Sequence, residues 1–190
     1  MVTLAEAFQT VRRALDQASV TYAIAGSWAS SIHGEPRHTN DIDFVTNLDA
    51  PRLRPFLIAL GPGFYFDEDT AFDALNNGRS FNVIHQTLGY KFDFFPLAGS
   101  HGDSELQRRQ AVSLPTLDAD LVPVISAEDT ILAKLRWYRA GGEVSDRQWR
   151  DIAGIIAASG ERLDHAYLER WARAMGLMDL YERALRQDFA

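Results

Sequence analysis

Asp41 and Asp43 flank a single isoleucine at the end of the stretch IAGSWASSIHGEPRHTNDIDFV, residues 24–45. On a strand, side chains alternate, so both carboxylates would project from one face while Ile42 and Phe44 project from the other. Two like charges ~6 Å apart at an effective dielectric of 20 repel by roughly 3 kcal/mol. A divalent cation gives that arrangement a reason, because Mg²⁺ takes a couple of carboxylates and completes its octahedron with water and phosphate oxygens. A second reading is also open, in which the aspartates cap a neighbouring turn or pair with Arg37.

Two further features bear on the choice. Gly26-Ser27 closes an apolar run and precedes a helix-like segment. A strand–turn–helix unit of this kind exposes backbone N–H groups that suit a phosphate, although it is also compatible with a plain tight turn. In Tyr90-Lys91-Phe92-Asp93-Phe94-Phe95, alternation places Lys91, Asp93 and Phe95 on one face and three aromatic rings on the other. An aspartate centred in so aromatic a strand is costly unless it is paired or coordinated. It would serve a second metal or act as a base toward a hydroxyl, or it would form an ion pair with Lys91 or Arg79.

The elements that must hold these residues follow from periodicity. Residues 3–18 predict an amphipathic helix with Leu4, Ala7, Phe8, Val11 and Leu15 on its apolar stripe. Strands are expected at 21–25 and 41–46, with a short helix over 28–33 stopped by Gly34 and Pro36. Pro51 opens a helix over 51–60. The runs 80–86 and 90–96 read as a hairpin around a Gly-containing loop, and 121–126 as a last short strand. Beyond that the pattern is helical, over 127–140, 146–158, 164–175 and 177–187, with Ser126 and Asp129 marking the first start. The expected organisation is an α/β (α+β) domain over 1–126, built on a short mixed sheet, with a helical C-terminal subdomain over 127–190 packed on it.

Composition narrows the chemistry. The 190 residues contain no cysteine, which excludes disulfides, thiolate metal sites and cysteine nucleophiles. The five histidines show no metal-ligand spacing, so zinc is not expected, and His38 inside the opening stretch reads as a surface residue. A net charge of −7 disfavours general nucleic-acid binding, which depends on Lys and Arg meeting phosphates. No run approaches the ~18 apolar residues of a membrane span, and the N-terminal segment does not read as a signal peptide. A cytoplasmic protein that engages no membrane is expected. In the helical part, Lys134, Arg136, Arg139, Arg147 and Arg150 lie near Trp137, Tyr138 and Trp149. This group could hold phosphates and stack a base, or it could be a core stripe of Leu132, Leu135, Trp137 and Tyr138 with arginines on the solvated side.

AGSWASSIHGEPRHTNDID followed by KFDFF resembles the nucleotidyltransferase superfamily with the polymerase-beta-like fold. The shared pattern is a Gly-Ser turn, a helix, a D-x-D strand and a third aspartate on a later strand. It looks closest to minimal prokaryotic nucleotidyltransferases and the AbiEii-type toxins of toxin–antitoxin systems, although those toxins often carry a different small-residue turn. The resemblance implies that Asp41, Asp43 and Asp93 hold Mg²⁺, or Mn²⁺ in its place, with Asp93 also activating an acceptor hydroxyl. It implies that Gly26 and Ser27, with Arg37, Thr39, Lys134 and Asp151, serve the nucleotide and its phosphates. The implied activity is transfer of an NMP from an NTP to an acceptor hydroxyl with release of pyrophosphate. The acceptor would be a tRNA, a protein or a small molecule of the aminoglycoside kind, and the toxin branch would bring an antitoxin partner. A non-catalytic, nucleotide-binding or antitoxin-like relative is the remaining alternative.

Overall fold

The structure, a computed structural model, describes residues 2–186. Internal contacts divide the chain into two units: one holds the described residues up to Ala25 with Thr39–Val124, the other Gly26–His38 with the described residues from Ile125 onward. The chain therefore passes into the helical unit for thirteen residues, returns to the sheet, and leaves it again after Val124.

The first unit is a mixed sheet clad by helices. Its strands are β1 (Tyr22–Ile24), β2 (Asp41–Thr46), β3 (Phe64–Tyr65), β4 (Phe81–His85), β5 (Tyr90–Pro96), β6 (Gln110–Leu114) and β7 (Ala119–Val124). Their order across the sheet is β3-β4-β5-β2-β1-β7-β6. β2 runs parallel to β5 and β1 parallel to β7, and the other neighbours are antiparallel. The helices of this unit are α1 (Leu4–Gln17), α3 (Ala50–Leu60), α4 (Glu68–Asn76) and α5 (Gly99–Gln107). The expected strand over 41–46 and the hairpin closed by β4 and β5 are present. β3, α4, α5 and β6 are additions to the expected elements.

Sequence accounts for the local order. Thr3 opens α1 with a capping box: the Glu6 amide donates to Thr3 Oγ1 at 3.2 Å, and the Thr3 amide donates to the Glu6 carboxylate at 2.8 Å. Phe8, Val11 and Leu15 are then buried on one face. On β2 and β5, Phe44 and Phe94 are fully buried and stack at 5.3 Å between ring centroids. Phe8 stacks on Phe44, while Phe56 and Phe81 pack on Phe94 at 5.0 and 5.2 Å. A one-residue slip of β5 would turn these rings outward and the carboxylates inward, so this aromatic layer pins the register.

The second unit is helical, with α2 (Gly26–His33), α6 (Ala127–Ala140), α7 (Asp146–Ser159), α8 (His165–Ala174) and α9 (Met178–Leu185). The last residue of the expected helix over 177–187 lies outside the described residues. Leu132, Leu135, Tyr138, Trp149, Ile152, Leu168 and Tyr181 are among its buried core residues. Trp137 departs from the expected stripe and is 50% exposed. At 3.6 residues per turn the inward line runs through Ile131, Leu135 and Tyr138, and Trp137 falls off it. Arg136, Arg139, Arg147 and Arg150 are exposed, as the solvated-face reading expects.

Tyr181 gives this core a pH signature. Its hydroxyl lies 2.7 Å from His165 Nδ1, and burial, reinforced by the charge of Glu169, pushes its pKa up to about 12 from 10.0. A phenol raised in the fold contributes stability that is complete below pH 10 and is lost as pH rises toward 12. Two pKa units correspond to about 3 kcal/mol. Alkaline titration of the unfolding midpoint should show this loss, and Tyr181→Phe should remove that part of the pH dependence.

Candidate functional site

β2 and β5 bring the three sequence-predicted aspartates onto one face of the sheet. In the parallel register Asp43 stands opposite Asp93, and Asp41 stands opposite Lys91. Adjacent strands lie ~5 Å apart and alternate residues ~7 Å apart. The four charged side chains thus form a quadrilateral. Ile42, Phe44, Phe92 and Phe94, on the opposite face, are fully buried, while Asp41 and Asp43 are half-buried and Asp93 is buried.

Hydrogen bonds orient the group. Lys91 Nζ lies 2.7 Å from Asp93 Oδ2, so the lysine is the ion-pair partner of Asp93, while Arg79 pairs with Asp73 instead. Thr39 Oγ1 donates to Asp41 Oδ1, and the Tyr90 hydroxyl donates to the Thr39 carbonyl at 2.9 Å. Burial pushes the Asp93 carboxyl up, against the pull of Lys91, and the charge of Asp41 adds to the rise. Its hydrogen bond to Asp93 raises the Lys91 ammonium against desolvation, and the charges of Asp93, Asp41 and Asp43 contribute in the same direction. Lys91 therefore interacts with all three carboxylates. The Ala25 amide donates to the Asp43 carbonyl at 2.8 Å, and Gly26 is the next residue in the chain.

In the helical unit, Gly26 is the first residue of α2 and takes φ +57°, a left-handed conformation open to glycine at little cost. The first amides of a helix have no intrahelical acceptor, and its positive dipole end favours anions. Ser30 and Ser31 donate back to the carbonyls of Gly26 and Ser27 at 2.8 and 2.9 Å. Ser31 Oγ also accepts the Arg37 amide at 3.2 Å, tying the loop after α2 back onto the helix. A Cβ on Gly34 would lie 3.0 Å from the Ile155 amide nitrogen, so α7 passes too close for a side chain there.

Arg37 Nη2 donates to Ser27 Oγ, and its guanidinium approaches the Asp151 carboxylate at 3.4 Å. Lys134 Nζ, on α6, donates to the same carboxylate at 2.6 Å. Lys134 is 6% exposed, so it is a buried cation with a partner rather than a solvated one. Asp151 itself offers a phosphate no donor. Asp151 holds both Lys134 and Arg37 through these contacts. Sequence reasoning named all four residues, but not the node that Asp151 makes of them.

The donor sets discriminate among metals. Among the described residues, no group of three or more His, Asp or Glu side chains converges as a metal cage. The oxygen donors of Asp41 and Asp43 fit a hard divalent cation held by one or two carboxylates, with water and phosphate oxygens completing its shell. No cysteine is available for a structural zinc site. Among the described residues no helix is long and apolar enough to cross a membrane.

No family model matches the chain, and no curated protein matches it. Solved structures do. The antibiotic-resistance factor ANT(2'')-Ia, in complex with adenylyl-2''-tobramycin, superposes with a TM-score of 0.57 over 92% of this chain and 99% of its own, at 14% identity. The solution structure of the same factor gives 0.53 over 90% and 95%, at 16% identity. The lincomycin-bound lincosamide antibiotic adenylyltransferase LnuA gives 0.51 over 79% and 94%, at 15% identity. The chain has the α/β fold of these nucleotidyltransferases.

Proposed function

We propose that the chain is a Mg²⁺-dependent nucleotidyltransferase that moves an NMP from an NTP to a hydroxyl of a small acceptor. The observation that carries this reading is the shared face of Asp41, Asp43 and Asp93, set by the β2–β5 register in this fold. Bound Mg²⁺, for which Mn²⁺ can substitute, neutralises phosphate charge and polarises the α-phosphorus.

The chain's own residues do the rest. Asp41 and Asp43 supply the carboxylates for the cation, and Thr39 fixes the Asp41 rotamer through its hydroxyl. Within the helical unit, the amides at Gly26 and Ser27 together with Arg37 and Lys134 suit phosphate oxygens by their N–H groups and positive charge. Asp93, raised by burial, accepts the proton of the acceptor hydroxyl. The acceptor oxygen forms a bond to the α-phosphorus while the bond to the bridging oxygen breaks, and pyrophosphate leaves. Catalysis is positioning together with charge neutralisation.

The net charge of −7 favours a cationic small acceptor over RNA. The complexes of two neighbours, one with adenylyl-2''-tobramycin and one with lincomycin, are consistent with that class. A second reading, an AbiEii-like toxin with an antitoxin partner, draws on the Lys134–Asp151 pair, the feature that resembles that branch. Incubation with Mg²⁺ and each α-labelled NTP, in parallel with an aminoglycoside and lincosamide panel and with total tRNA, separates the two. Label on a small hydroxylated cation supports the first reading. Label on tRNA alone overturns the choice of acceptor.

A further inference from the structure

Thr39 lies outside any helix or strand, two residues before Asp41, and donates its hydroxyl to Asp41 Oδ1. Ordering a residue in such a segment costs conformational entropy, so this geometry needs a tether. Tyr90 supplies one: its hydroxyl donates to the Thr39 carbonyl at 2.9 Å. Tyr90 opens β5, and the parallel register with β2 places Asp41 opposite Lys91, the next residue along. Strand alternation sends the Tyr90 ring to the aromatic face, where its centroid lies 6.0 Å from that of the fully buried Phe92. The tyrosine thus belongs to the hydrophobic layer by its ring and reaches the carboxylate group only through its hydroxyl. Tyr90, Thr39 and Asp41 all lie in the sheet unit.

We infer that Tyr90 is a positioning residue for the cation, acting through Thr39 to set the orientation in which Asp41 meets a divalent ion. This rests on the reading of Asp41 as a metal-binding carboxylate. An ionised carboxylate offers about four lone-pair positions on its two oxygens, so accepting a hydroxyl restricts its rotamer without excluding a cation. Groups that orient a metal ligand directly are worth about 10–100-fold in metal affinity. Tyr90 acts one bond further out, and its share is correspondingly smaller. Asp41 also interacts with Lys91 and with other groups, so losing the relay loosens the carboxylate rather than releasing it.

Titration of the full chain with Mn²⁺, followed by electron paramagnetic resonance, tests the inference without any turnover. Tyr90→Phe keeps the ring and its packing and should bind Mn²⁺ about three- to tenfold more weakly than the native chain. Thr39→Val should lose at least as much affinity, about tenfold. The double variant should bind within twofold of Thr39→Val, because the two residues act in series. A thermal melt without the cation separates positioning from structure. A tyrosine with a purely structural role would lower the melting midpoint and leave Mn²⁺ affinity within twofold of native, which would overturn the inference. Native-like affinity in Thr39→Val, or losses that multiply in the double variant, would overturn it as well. Nucleotidyl transfer by a native chain whose Tyr90→Phe variant binds Mn²⁺ unchanged would overturn the inference and leave the proposed function standing. The expected affinity losses in a chain that transfers no nucleotidyl group would do the reverse, and a native chain that binds no Mn²⁺ would overturn both.

Discussion

Asp43→Ala is expected to reduce Mg²⁺-dependent pyrophosphate release by roughly a thousandfold or more, with the fold retained. The carboxylate sits at the centre of the face, opposite Asp93 and two residues from Asp41. Its loss removes charge stabilisation of several kcal/mol from the transition state, and each 1.36 kcal/mol is a factor of ten in rate. Folding should tolerate the change, because Asp43 is only half-buried and its removal relieves repulsion with its neighbours. The same holds for Asp41. Far-ultraviolet circular dichroism and a thermal melt on the variant distinguish a dead site from a lost fold. A variant that melts like the native chain and still turns over within tenfold of it would remove Asp43 from the catalytic set.

The largest stability effect is expected at Asp151→Ala. The substitution strips the buried Lys134 ammonium of its 2.6 Å partner and leaves the Arg37 guanidinium without its carboxylate. Breaking a buried ion pair from one side costs about 3–5 kcal/mol, because a desolvated charge is left uncompensated. The double variant Asp151→Leu/Lys134→Met should recover most of that loss, since an apolar pair of similar volume avoids the desolvation penalty. Urea unfolding of the two single variants and the double one gives the coupling directly. A small effect of Asp151→Ala would mean that Lys134 reaches water or another acceptor. In the presence of NTP the deficit should shrink, because phosphate oxygens can take over the Lys134 and Arg37 donors.

Much of the candidate site is legible in the sequence because strand periodicity is local. Asp41–Ile42–Asp43 and Lys91–Phe92–Asp93 each announce which side chains share a face. The pairing of β2 with β5 is not local. Strand alternation alone does not say whether Asp43 meets Asp93 or Lys91, and the aromatic layer of Phe44, Phe94, Phe56 and Phe81 decides it through tertiary packing. Lys91 accordingly reads in the sequence only as one of two ion-pair candidates for Asp93.

Elements missed in the sequence share a physical cause. α5 carries two glycines and no side-chain cap at Ala98, so neither propensity nor a start signal marks it. β6 is largely exposed and does not alternate. α4 does have an N-cap, with Asp67 accepting from the Thr70 amide at 2.7 Å, but its exposed face is too polar for a clear apolar stripe. The grouping of residues 26–38 with the helical unit rests on α2 packing against α6 and α7 and on close approaches such as Gly34 to Ile155. Such long-range contacts leave no trace in local periodicity.

The central claim is that the carboxylate face of β2 and β5 serves transfer of an NMP from an NTP. Pyrophosphate release by the native chain and by Asp41→Ala/Asp43→Ala, with each NTP, with and without Mg²⁺, tests it most directly. The account predicts release by the native chain that requires the cation and a hydroxylated acceptor, and none by the double variant. Absence of both nucleotide binding and pyrophosphate release in the native chain, or equal release by the double variant, would contradict it.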